Sequence, residues 1–354
     1  MAVNLATKYS AEVAERFAKA SLTENVVSKD FNFNGVRGIT VYSVDTAPLG
    51  NYTRAGTSRY GTPGSLSDTT QELVMTQDKA FTYIIDKGED NEQMNVKGAA
   101  KSLKREIDEV VSPYLDQYRL KSWAEKAGKI VSAASPSKEN IVDLIMQTTT
   151  ALDDALVPEI GRTLFITSTN YRFLKQSPDF ITQDKLGEEI LARGVVGSID
   201  GMKVVKVPAS WMPVGVRWLA VHQSAVLGAA KLQDYKIHTD PPGINGNLVE
   251  GRLIHDAFVL AAKSNGVYAA VEAAKLCVLP TLTLNGGNVT IATTTPEAQL
   301  YYTLDGSDPR YSETKKLYSA ALTPTQLDGV SVVRAYAAKT AMYNSAVGQL
   351  VLSA

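Results

Sequence analysis

Apolar and polar positions between residues 97 and 127 repeat with the period of an α-helix. Leu103, Ile107, Val110, Val111, Tyr114, Leu115 and Tyr118 fall on one side, with Trp123 and Ala127 beyond. Lys101, Lys104, Arg105, Asp108, Glu109, Asp116 and Lys121 fall on the other. Gly98 and Gly128 bracket the stretch, the latter as a C-terminal stop. Pro113 removes one backbone donor, which predicts a kink rather than a break. At ~1.5 Å per residue the helix spans roughly 45 Å, more than a compact core needs. An ordinary core helix satisfies the same pattern; the neighbouring segments favour a scaffold strut.

A period of two marks residues 36–45 and 71–86 as strands, with Phe81, Tyr83 and Ile85 alternating against Thr82 and Ile84. Between them lies a stretch holding Pro48, Gly50, Gly56, Gly61, Pro63 and Gly64 together with Arg54 and Arg59. Connections this long are uncommon in a compact domain. Flanked by strands, it reads as the tip of a protruding hairpin, and a neighbouring subunit is the economical surface for it to lie on. It has no phosphate-loop motif and no strand-turn-helix frame. Glu89, Asp90 and Glu92 sit just ahead of the long helix. They are either a solvated turn that suits the helix dipole or a docking site for Arg54 or Arg59 of the next subunit. Residues 1–29 form an amphipathic arm through Tyr9, Val13 and Phe17, which either folds back or clasps a neighbour.

Residues 129–248 read as mixed α/β. A helix starts at Ser135 and Pro136 and continues through Ile141, Leu144, Ile145, Thr148, Leu152 and Leu156 to Pro158. Strands follow at 162–168 and 216–222, with a short helix through Tyr171, Phe173 and Leu174 and helical character at 188–191. Gly-punctuated turns lead into a strand over 194–208, and 230–246 reads as loop-rich. Strand character returns over 249–271 with a turn at 264–266. From about Thr281 short alternating strands predict a small β-sandwich, with a boundary near 276–280.

Composition narrows the function. The 354 residues carry a net charge of −1, so no basic excess points to tight nucleic-acid binding, although near-neutrality suits a wall that encloses nucleic acid without gripping it. The single cysteine, Cys277, lies in an apolar setting and fits a reducing compartment. No signal core or membrane span is evident, which points to folding in a cytoplasm. His222, His238 and His255 match no metal spacing, and no nucleophile elbow or dinucleotide fingerprint occurs. Adjacent Asp153 and Asp154 would point apart on a helix, and His255 and Asp256 would face opposite sides of a strand. Asp305, Ser307 and Asp308 fit a β-turn better than a calcium loop. The expectation is a non-enzyme with no catalytic residues, no metal site and no cofactor.

The order of pieces resembles the major capsid proteins of tailed bacteriophages, the Hong Kong ninety-seven type of fold. It runs from a short arm to a hairpin with a Gly/Arg tip and the ELVMTQDKAFTYIIDKGEDNE strand. A long helix containing SPYLDQYRL, a mixed α/β domain and closing strands around HDAFVLAAKSNGVYA follow. GRTLFITSTNYRFLK and GVVGSIDGMKVVKVP are also similar to segments of that family. The likeness covers residues 1 to about 275 and rests on order more than on any one motif. It implies an α+β phage capsid fold with N-arm (1–35), extended loop (36–80), peripheral domain (81–130 and 249–275, with spine helix 97–127) and axial domain (131–248).

The tail, YYTLDGSDPRYSETKKLYSAALT from Tyr301 to Thr323, resembles the immunoglobulin-like module at the C-terminus of chitobiases and hexosaminidases. It implies an all-β sandwich over 281–354, an accessory domain of the sort some phage capsids display on the outside; its role stays open, and if it is decoration, deleting 281–354 leaves assembly intact. A cell-surface or mucus glycan is its implied ligand, though most of Tyr301, Tyr302, Tyr311, Tyr318, Tyr336 and Tyr343 read as core or corner residues. The capsid likeness implies self-assembly into pentamers and hexamers of an icosahedral head around double-stranded DNA, in the host bacterial cytoplasm. It further implies a separate scaffolding protein and a portal as partners. The family prototype cross-links through an extended-loop lysine, whereas no lysine occurs here between Lys29 and Lys79, so a non-covalent shell is expected. A carbohydrate-binding adhesin and an encapsulin-type compartment shell remain the alternatives.

Overall fold

The structure, a computed structural model, describes residues 21–28, 38–44, 68–88, 98–177 and 195–352, together with 47, 49–54, 57, 59–61 and 65. Tyr9, Val13 and Phe17 of the arm and the helical stretch at 188–191 lie outside the described residues. Strands β1 (Gly38–Val44) and β2 (Asp68–Val74) precede β3 (Gln77–Asp86). A rod follows as helix α1 (Ala99–Glu106), a π-helical turn (Ile107–Val111) and helix α2 (Ser112–Glu125). The body continues with β4 (Lys129–Ser132), α3 (Ile141–Asp153), β5 (Arg162–Thr167) and α4 (Ser168–Gln176). It closes with β6 (Val195–Ile199), β7 (Met202–Val207), β8 (Val216–His222), β9 (Val226–Thr239), β10 (Gly246–Val259) and β11 (Val267–Val271). The sandwich comprises β12 (Thr281–Asn285), β13 (Asn288–Ala292), β14 (Gln299–Thr303), β15 (Lys316–Leu317), β16 (Val332–Ala338) and β17 (Gly348–Val351).

A six-stranded mixed sheet, ordered β4-β11-β8-β5-β7-β6, forms the centre. Its strands read as nearly unbroken apolar runs because both faces are covered. Leu164, Ile166, Trp218, Ala220, Tyr268 and Ala270 face α3 and α4, where Ile141, Ile145, Leu152 and Leu174 meet them. The alternate residues Phe165, Leu219, Val221, Val267 and Ala269 face Leu120, Trp123 and Ala124 of α2. A second sheet, ordered β3-β10-β9, carries the rod across it, with Tyr114 and Tyr118 edge-on to His255 at 5.3 and 5.0 Å.

Four details differ from the sequence reading. The single strand read over 71–86 is two, broken at Met75 and Thr76, which belong to different sheets on either side. Pro113 sits within the first turn of α2, and the distortion falls before it: the Ser112 amide donates to Ile107 O, five residues back. Leu156 leaves the helical register at φ 56° and is exposed, since the helix stops at Asp153. Finally, 230–239 is not loop but most of β9, formed by ladder pairing with β10 from Val226 to Thr239, with Tyr235 opposite Gly251. Gly251 is required there, because a Cβ would lie 2.3 Å from the Phe81 ring.

Candidate assembly interface

Strands β1 and β2 pair only with each other, from Gly38 opposite Val74 to Val44 opposite Asp68. The ribbon therefore adds no strand to either large sheet, although its foot packs on the second one through Leu73. Its tip is exposed at Leu49, Tyr52, Arg54, Arg59 and Tyr60, with Tyr52 and Tyr60 in edge contact at 5.0 Å and the Thr53 amide bonded to Arg59 O at 3.0 Å. Arg54 makes no ion pair among the described residues. Tyrosine and arginine on an exposed apolar tip are the side chains that anchor protein interfaces. Glu89, Asp90 and Glu92, the acidic partners expected for these arginines, lie outside the described residues.

The foot of the ribbon is tied down by polar side chains that periodicity does not single out. Gln71 donates from Nε2 to Val259 O at 3.0 Å and accepts from the Ala261 amide at 2.7 Å, so it pairs with the backbone as another strand would. The Thr76 amide and hydroxyl both donate to Asp256 Oδ2 at 2.9 Å, and the Tyr118 hydroxyl donates to Asp256 Oδ1 at 2.8 Å. One carboxylate thus joins the ribbon, the second sheet and the rod. Burial, with the Asp256 bond behind it, raises the Tyr118 hydroxyl well above its ordinary value and keeps it a donor. Leu73 and Met75 pack against Leu227, Phe258 and Leu260 beneath.

His255 and Asp256 were expected to face opposite sides of the strand. A register shift between Ile254 and His255 turns both toward Tyr118 instead. Asp256 is fully paired, whereas His255 Nε2 is buried without a hydrogen bond.

The end of the arm is clasped by the rod. Asp116, fully buried, accepts from Ser21 Oγ at 2.7 Å, the Leu22 amide at 2.7 Å, the Thr23 amide at 3.3 Å and Thr23 Oγ1 at 2.5 Å. Arg119 donates to Thr23 Oγ1 at 3.1 Å and Glu24 Oε2 at 2.7 Å. On the helical wheel Asp116 reads as solvent-facing; its burial follows from the segment that caps it, which no local pattern reveals. Gly228 makes room, since a Cβ there would lie 2.6 Å from Val27 and 2.8 Å from Arg119 Nε.

His222 faces an open cleft with Ser224, yet both ring nitrogens are engaged. Nε2 lies 2.9 Å from Ile160 O, an acceptor, which places the proton on Nε2 and leaves Nδ1 to accept from Ser224 at 2.9 Å. Burial lowers its pKa, so the ring stays neutral and serves as a loop tie. Asp153 pairs with buried Arg162 at 2.7 Å. Asp305 accepts from Ser307 and Thr314 in the turn expected for it.

Residues 280–349 match the Chitobiase/beta-hexosaminidase C-terminal domain family. No curated protein matches the sequence. Among solved structures, a chain of Mycobacterium phage Che8 is 16% identical with a TM-score of 0.59, the match covering 75% of this chain and 96% of that one. The capsid structure of the Cyanophage P-SCSP1u gives 16% identity and a TM-score of 0.61 over 76% of this chain and 93% of that one. The asymmetric unit of the bacteriophage PhiM1 mature capsid gives 12% and 0.59 over 76% and 92%. The chain thus has the α+β fold of phage capsid chains, followed by an all-β module of the chitobiase C-terminal type.

Proposed function

We propose that this chain is the major capsid protein of a tailed phage, a structural, non-catalytic tile. It assembles with copies of itself into pentamers and hexamers of an icosahedral head that encloses double-stranded DNA. The observation that carries the reading is the likeness to phage capsid structures over three quarters of the chain and more than nine tenths of theirs. The ribbon supports it, because a two-stranded hairpin is at best marginally stable alone and gains from lying on another surface. In this reading 36–80 is the extended loop, 97–127 the spine, 131–248 the axial domain, and 81–130 with 249–275 the peripheral domain.

Arg54 and Arg59 meet Glu89, Asp90 and Glu92 of the adjacent copy, a contact that sets register more than affinity. Many weak, repeated contacts then make the closed shell far more stable than any one of them. A scaffolding protein and a portal complete assembly in the host cytoplasm, and the product resides in the virion. Size-exclusion chromatography with negative-stain microscopy of purified protein tests the reading: shells or rings are expected. A monodisperse monomer at every salt and protein concentration would overturn it.

A further inference from the structure

Helix α2 ends at Glu125, and the carbonyls of the three residues that follow, Lys126, Ala127 and Gly128, accept hydrogen bonds from the sandwich. A helix terminus leaves carbonyls without intrahelical donors, and its partial negative charge favours a cation. The Tyr311 hydroxyl donates to Lys126 O at 2.6 Å, and Arg310 Nη1 donates to Ala127 O at 3.1 Å and Gly128 O at 2.8 Å. The guanidinium is aimed by Asp308, whose carboxylate takes Nε at 3.1 Å and Nη2 at 2.7 Å and leaves Nη1 for the helix end. This side chain is only 10% exposed. Gly128 is also held close by the body, where a Cβ would lie 2.3 Å from the Ser264 backbone.

A second anchor lies elsewhere on the same module. Tyr343 belongs to the body's own core cluster with Trp123 and Val216, and its hydroxyl donates to Val214 O at 3.0 Å. The connection between body and sandwich has no slack. The Tyr343 amide bonds Lys275 O at 2.7 Å, and the Cys277 amide bonds Tyr343 O at 3.0 Å. The Val278 amide bonds Thr295 Oγ1 at 2.8 Å.

We infer that the C-terminal module is a cap in cis for the rod helix, with the Asp308–Tyr311 turn as its docking element and Tyr343 as the second fixed point. Two separated anchors set an orientation where one would leave a pivot. The aromatic faces a sugar would stack on are largely taken: Tyr311 and Tyr343 face the body, Tyr302 and Tyr318 lie in the sandwich core, and Tyr336 is buried against Tyr301 at 5.5 Å. The module is therefore not the separable decoration that the sequence resemblance implies, since its removal uncaps the helix and opens the core at Tyr343.

The test uses the full-length chain and does not depend on shell formation. Arg310→Ala, Arg310→Lys and Tyr311→Phe are compared by limited proteolysis across 276–280 and by calorimetry. Wild type is expected to resist cleavage and unfold in one transition. Arg310→Ala is expected to be cut about tenfold faster and to unfold in two transitions, as an uncoupled domain does. Arg310→Lys keeps the charge but loses the fork, and Tyr311→Phe loses one bond, so both should fall between. If Arg310→Ala does not fold, the two milder variants decide. Wild-type cleavage rates and a single transition in every folded variant would overturn the inference, as would rapid cleavage of the wild-type linker.

Discussion

Asp116 and His255 show how much one buried polar residue can carry. Four donors from Ser21, Leu22 and Thr23 converge on the Asp116 carboxylate. Asp116→Ala leaves those donors unmet beside a buried Arg119, and a loss of about 3 kcal/mol in urea unfolding is expected. Asp116→Asn, which keeps the shape but not the full set of acceptors, should lose less. His255 is held neutral, chiefly by burial, with its pKa down at about 4 against an ordinary 6.5. Below pH 6.5 the unfolded chain takes up a proton that the folded chain refuses, so stability falls as pH drops toward 4 and is level above 6.5. A His255→Phe chain measured across that window should have a flatter slope, whatever its absolute stability.

At the scale of elements, the joint between ribbon and body rests on Asp256, Thr76 and Gln71. Thr76→Val removes the hydroxyl's bond to Asp256 and its exposed bond from Gln77 Nε2, and keeps the amide bond. Hydrogen exchange over 68–76 should quicken several-fold while exchange in β10 stays unchanged. Asp256→Asn should quicken it further. This joint was not legible in the sequence, because 71–86 keeps one alternating pattern through a change of sheet, and the signal for the change is a carboxylate 180 residues away. The rod, the central strands and the all-β character of the C-terminal region were legible, since each is set by local periodicity. The outer part of β9 was missed because ladder pairing with β10 forms it while Lys236, Ile237, His238 and Thr239 stay exposed. The π-turn follows from Pro113 in a way the sequence did suggest, with the distortion displaced toward the N-terminus. Of the candidate contact residues, Arg54 and Arg59 were placed at the ribbon tip by the flanking strands alone. What holds that tip at its angle came only from tertiary contacts.

For the whole molecule, two outcomes bear on assembly. No lysine occurs between Lys29 and Lys79, so boiling assembled particles in detergent should release single chains; a ladder of covalent multimers would contradict this. Replacing Arg54 and Arg59 together by Glu should lower particle counts by microscopy, and normal yield at normal salt would remove the charge contact from the account.

The turn joining β12 to β13 has a practical use. Gly286 and Gly287 adopt φ 55° and 80°, and nothing lies within 4 Å of where a Gly286 side chain would begin. A guest peptide for multivalent display would be better spliced there than fused across 276–280. The loop graft leaves the Arg310 and Tyr343 moorings alone, whereas a junction fusion would pry them apart.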